Sequence, residues 1–108
     1  MADVADGRGD GAGGAQVDGL VVDLGTATVT ATIAVGDNPW GITISPDGST
    51  LYVANTGSGS VSVIDSGTNS VTETIVVGRN PIYPALNPSG TELYTSNAGD
   101  GTVSVTPL

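Results

Sequence analysis

An all-β chain of short antiparallel strands is what this sequence predicts, and three observations predict it. The first is an internal repeat: shifted by about 42 positions, the sequence falls on itself. Gly36 lands on Gly78, Asn38-Pro39 on Asn80-Pro81, Pro46 on Pro88, Leu51-Tyr52 on Leu93-Tyr94, Asn55 on Asn97, and Val61-Ser62-Val63 on Val103-Ser104-Val105. The second is period-two alternation of apolar and polar residues from Leu20 onward, in runs bounded by Gly, Asn, Asp and Pro. The third is the shortness of the connections, which forces neighbouring strands to pair antiparallel.

Residues 1–18 precede this pattern. They combine Gly, Ala and Asp without an apolar period, so they are expected to form a disordered tail that cannot offset its ordering entropy. Arg8-Gly9-Asp10 lies inside it, the tripeptide that integrins read in exposed loops, although a chance match is common in a tail of this composition. Strands follow at Leu20–Leu24 and Thr28–Val35, the latter with Val29, Ala31, Ile33 and Val35 on one face. The turn Gly36-Asp37-Asn38-Pro39 leads into a complete copy of the repeat: Trp40–Ser45, Thr50–Asn55, Ser60–Asp65 and Ser70–Val77. Pro46-Asp47-Gly48-Ser49 joins the first pair, with Pro where φ near −65° is wanted and Gly where the chain reverses. The last copy loosens the framework. Tyr83-Pro84 replaces Gly41-Ile42, Thr95 replaces Val53, Thr106-Pro107 replaces Ile64-Asp65, and the copy has three strands.

Composition excludes several functions. Eleven carboxylates against two arginines give a formal charge of −9, which opposes binding to phosphate backbones and anionic lipid surfaces. No partnership with nucleic acid is therefore expected. Cysteine and histidine are absent, which removes disulfides, thiolate metal sites and imidazole chemistry. No run approaches the roughly 18 apolar residues of a membrane span, so no membrane insertion is expected, and the N-terminus lacks the basic and apolar regions of a signal peptide.

Pro39-Trp40-Gly41-Ile42-Thr43-Ile44-Ser45-Pro46-Asp47-Gly48, Leu51-Tyr52-Val53-Ala54-Asn55, Val61-Ser62-Val63-Ile64-Asp65 and Val71-Thr72-Glu73-Thr74-Ile75-Val76-Val77-Gly78 together resemble the YVTN β-propeller repeat of surface-layer and cell-envelope proteins. In the third copy the signature becomes Tyr94-Thr95-Ser96-Asn97. The resemblance implies antiparallel four-stranded blades of propeller type, here an incomplete ring of about two blades' worth of strands. It divides 19–108 into a partial blade at 19–39, a complete blade at 40–81 and a partial blade at 82–108, nine strands in all. A propeller closes with about 4 to 8 blades. Partners are therefore expected to be further copies of the chain or neighbouring blades. The function implied is a non-catalytic structural or protein-binding module at the cell surface. The alternative is a fragment of a larger propeller enzyme, lactonase-like or quinone-dependent dehydrogenase-like.

Individual residues point the same way. Asp47-Gly48 and Asp100-Gly101 lack the ligand density of a dedicated calcium loop and read as turn aspartates bonding their own backbone. Asn55 and Asn97 read as caps of their own turns. Trp40, at the start of the strand that the resemblance places nearest a central channel, reads as inter-blade packing with a ligand-stacking alternative. Tyr52 and Tyr94 read as blade packing, Glu73 and Glu92 as solvent-facing or edge residues, and Tyr83 has no aromatic counterpart. Without His, Lys or Cys no base activates a Ser or Thr nucleophile, and no two carboxylates stand out as an acid–base pair. The expectation is a chain that is not an enzyme, with no catalytic, cofactor-binding or metal residues and no cofactor. Trp40, Tyr83, Arg8, Gly9 and Asp10 are its candidate protein contacts.

Overall fold

The computed structural model describes Ala2–Ala5, Asp18–Asp23 and residues 28–108, with side chains from Ala31 onward. Ten strands and no helix occur among the described residues: β1 (Ala2–Ala5), β2 (Asp18–Asp23), β3 (Thr28–Ala34), β4 (Pro39–Ile44), β5 (Thr50–Asn55), β6 (Ser60–Asp65), β7 (Ser70–Val76), β8 (Pro81–Leu86), β9 (Glu92–Asn97) and β10 (Thr102–Pro107). They form three antiparallel sheets, β1-β2-β3, β4-β5-β6-β7 and β8-β9-β10.

One strand more is present than the sequence predicts. Ala2–Ala5, within the segment expected to be a disordered tail, pairs with β2, Ala2 opposite Asp23 and Ala5 opposite Leu20. That is the register β5 has on β6, where Thr50 lies opposite Asp65. The edge of β2 supplies the backbone partners that the local composition does not advertise. Arg8-Gly9-Asp10 lies outside the described residues.

The repeat extends to backbone detail. β4 and β5 slip register between Pro39 and Ile42, and β8 and β9 slip between Pro81 and Pro84. β2 and β3 slip between Val21 and Val22, and β6 and β7 between Val63 and Ile64. These β-bulges bend the strands at equivalent points in successive sheets. Asn38 and Asn80 both adopt positive φ, at 50° and 52°, a region Asn tolerates better than most residues. Gly48 and Gly90 close the first turn of their sheets at φ 78° and 72°, where a Cβ would be strained.

Packing follows from the alternation. On β5, Leu51 and Val53 face one side and join Ile33 of β3 and Ile64 of β6 in one core. Tyr52 faces the other side and joins Val61, Val63 and Leu93 of β9 in a second. The central sheet is thus covered on both faces by the flanking sheets. Each fully buried Leu or Val in these cores contributes about 1.5–3 kcal/mol relative to exposure. β7 is the outer edge, its side chains largely exposed, with Thr72, Glu73 and Thr74 at its centre.

Candidate functional site

Two features mark the sheet junctions, a buried amide that recurs at two of them and a surface of adjacent first strands where β4 meets β8. The Asn55 side chain is fully buried. Its Oδ1 accepts from the Gly36 backbone N–H at 3.2 Å, and its Nδ2 donates to Ser60 Oγ at 3.2 Å and Ser62 Oγ at 2.9 Å. Asn97 repeats this with Gly78 N–H at 3.1 Å, Thr102 Oγ1 at 3.2 Å and Ser104 Oγ at 2.9 Å. Each amide therefore locks the crossover from the preceding sheet onto its own sheet. This corrects the expectation of simple turn caps. The glycines are steric requirements, because a Cβ on Gly36 would lie 2.7 Å from Asn55 Cγ and one on Gly78 would lie 2.6 Å from Asn97 Cγ. Thr56 Oγ1 adds a bond to the Pro81 carbonyl at 2.7 Å.

Asp47 bonds within its own turn, whereas Asp100 reaches back 21 residues to Arg79, which corrects the expectation that it bonds its own backbone. Asp47 Oδ1 accepts from Ser45 Oγ at 2.7 Å, Ser49 N–H at 3.0 Å and Ser49 Oγ at 2.7 Å. The Ser49 N–H first, then the two hydroxyls, lower the pKa of this exposed carboxyl from 3.8 to about 2. Asp100 accepts from the Arg79 N–H at 2.9 Å and forms an ion pair with Arg79 Nε at 3.3 Å. Arg79 borders a notch of about 270 Å³ with Thr56, Ser58 and Asn80, on the same end of the sheets as the Asn locks. A larger groove of about 460 Å³ runs between the end of β3 and β6–β7, lined by Ser58, Ser60, Ser62 and Thr74. Tyr52 is raised above the usual phenol pKa, by burial first and then by the charges of Asp47 and Glu73. Tyr94 is raised chiefly by its hydrogen bond to Glu92 Oε1 at 3.0 Å.

β4 and β8 lie side by side as the first strands of their sheets. A Cβ on Gly41 would meet the Ile82 carbonyl oxygen at 2.5 Å and Tyr83 Cδ1 at 2.8 Å, so Gly41 is what allows this approach. Trp40 is 41% exposed and Tyr83 is 63% exposed. Trp40 is thus only partly covered, where the sequence suggests inter-blade packing. The structure brings these two candidates onto adjacent strands and describes neither Arg8, Gly9 nor Asp10. Among the described residues no three potential metal ligands cluster, and no helix is long and apolar enough to cross a membrane.

Residues 8–108 match the family model described as lactonase, seven-bladed β-propeller. The chain belongs to this lactonase propeller family. Among curated proteins no sequence matches it. Among solved structures, the lactonase-family chain is similar to hydrazine synthase from Kuenenia stuttgartiensis, with TM-score 0.80 and 30% identity over 85% of this chain and 28% of that one. It also superposes on dihydro-heme d1 dehydrogenase NirN, with TM-score 0.76 and 21% identity over 96% of this chain and 21% of that one, a likeness of fold. The chain thus spans about a quarter of these neighbours. The expectation of a non-enzyme is corrected by these matches: the family and both neighbours are enzyme-related propeller proteins, of which this chain corresponds to a part. The comparisons support the propeller and not the narrower surface-layer identity.

Proposed function

We propose that this chain is a blade module of a larger lactonase-type propeller, in which water opens a cyclic ester to a hydroxy acid. The observation that carries the reading is a contrast between equivalent residues, within a chain that matches the seven-bladed family over 8–108. Val61 and Val63 are 0% and 8% exposed under the third sheet, whereas Val103 and Val105 are 61% and 56% exposed. A face built like the covered one, yet open, suits a further blade. In the closed ring, β4 and β8 would form part of the inner wall, with Trp40 and Tyr83 on it. The chain has no His, Lys or Cys, so the base that activates water is a carboxylate or comes from another blade. Catalysis is then a property of the closed ring.

Proton release from a panel of five- and six-membered lactones, followed at constant pH across size-separated fractions, tests this. Turnover is expected in fractions large enough to hold a closed ring and not in the single chain. A closed assembly that opens no lactone of the panel would overturn the proposal.

A further inference from the structure

Two equivalent tyrosines end differently. Tyr94 of β9 donates to Glu92 Oε1 at 3.0 Å, but Tyr52 of β5 has Thr50 in the place of Glu92, and its hydroxyl has no hydrogen-bond partner among the described residues. Tyr52 is 6% exposed, its ring packed with Val61, Val63 and Leu93, while the hydroxyl opens into a groove of about 380 Å³. A tyrosine buried this far ordinarily has its hydroxyl paired.

Strand register says what stands beside it. Tyr52 lies opposite Val63 and Val63 opposite Glu73, so the three form one row across β5, β6 and β7, the outer two backbones about 10 Å apart. The Glu73 carboxylate has no partner among the described residues. Asp65, which also lines the groove, takes the Gly67 N–H at 2.8 Å through Oδ1 and keeps Oδ2 uncommitted. The only basic side chain among the described residues, Arg79, is paired with Asp100 at the other end of the strands. The counterpart of Glu73 in β3 is Ala31, which packs against a core. Glu73 thus puts a bare carboxylate where the preceding sheet has a methyl group.

We propose that this groove binds a small protonated alkylamine, its ammonium group held by the Tyr52 hydroxyl oxygen and the carboxylates of Glu73 and Asp65, its carbon chain over Val63 and Leu108. An ammonium group has three N–H donors and no acceptor, which matches this set. A divalent metal does not, because no three potential metal ligands cluster among the described residues and calcium takes about 6 to 8 oxygens. The space lies near the lower end of the usual range for ligand pockets, about 300–1,000 Å³, which keeps the amine small. The polar groups all belong to the central sheet, and the site is independent of the lactonase reading.

The test titrates the full chain with butylammonium chloride at low ionic strength, followed by NMR. Saturable shifts centred on Tyr52, Val63 and Glu73 are expected. Glu73→Gln should weaken binding by about tenfold or more and Tyr52→Phe by about threefold or more, whereas Glu92→Gln, on the carboxylate already bonded to Tyr94, should leave it unchanged. Glu73 is exposed, so its replacement leaves the fold intact. Tetramethylammonium, a cation without N–H donors, should bind at least about tenfold more weakly. No saturable binding, equal affinity for tetramethylammonium, or unchanged affinity in both Glu73→Gln and Tyr52→Phe would overturn the proposal.

Discussion

The central and C-terminal sheets are two renderings of one sequence pattern, and their difference separates what makes a blade from what makes a junction. Both keep the bulge after the first proline, the positive-φ asparagine and the buried amide lock. They differ in what covers them. β5 and β6 of the central sheet are buried on both faces, whereas β10 shows its valines to solvent. Blade geometry is therefore encoded locally, in turns and register, while stability is encoded between sheets, as repeat architectures require.

The same substitution on the two sheets should break this comparison most visibly. Val61→Ala should cost about 1.5–3 kcal/mol in urea unfolding, and Val103→Ala should stay within about 0.5 kcal/mol. The junction itself is probed by Gly78→Ala, whose Cβ would lie 2.6 Å from Asn97 Cγ. It should cost about 1–3 kcal/mol by forcing the amide aside, and Gly36→Ala should do the same at the first junction.

The third sheet also carries a defect that the central one lacks. Thr95 is fully buried in the place of Val53, and its Oγ1 has no hydrogen-bond partner. Thr95→Val should raise the unfolding midpoint, stabilising by about 1 kcal/mol or more. The smallest effect concerns the first turn, which carries Asp47 in the central sheet and Ser89 in the third. The Asp47 pKa is lowered from 3.8 to about 2, so its contribution is complete above 3.8 and is lost as pH falls through 2. Asp47→Asn should flatten the acid limb of the stability profile across that window, with little change at neutral pH.

The blades were legible in the sequence because strand period and turn chemistry are local. The pattern places Thr50–Asn55 and Ser60–Asp65 where the structure has β5 and β6, and Ser70–Val77 within one residue of β7. β1 was not legible, because its partner strand lies across residues 6–17 and Ala-Asp-Val-Ala has no period of its own. In the sequence the amide locks read as turn caps because each reaches back 19 residues across a sheet boundary. The signal that could have found them was present: Gly36 with Asn55, and Gly78 with Asn97, recur at one fixed separation. The enzyme relationship is legible only as the alternative that the resemblance offers, a fragment of a lactonase-like propeller enzyme, which the family match favours over the non-catalytic reading, because the residues of the sequence single out no acid–base pair or activated nucleophile.

Native-state amide exchange on the single chain tests the central claim most directly, that the middle sheet is the completed unit and the third sheet a blade with one open face. β5 and β6 should exchange only through global unfolding, while the β10 amides that face away from β9 exchange through local opening at far lower cost. Equal protection of β6 and β10 along their whole lengths in a monomer would contradict it.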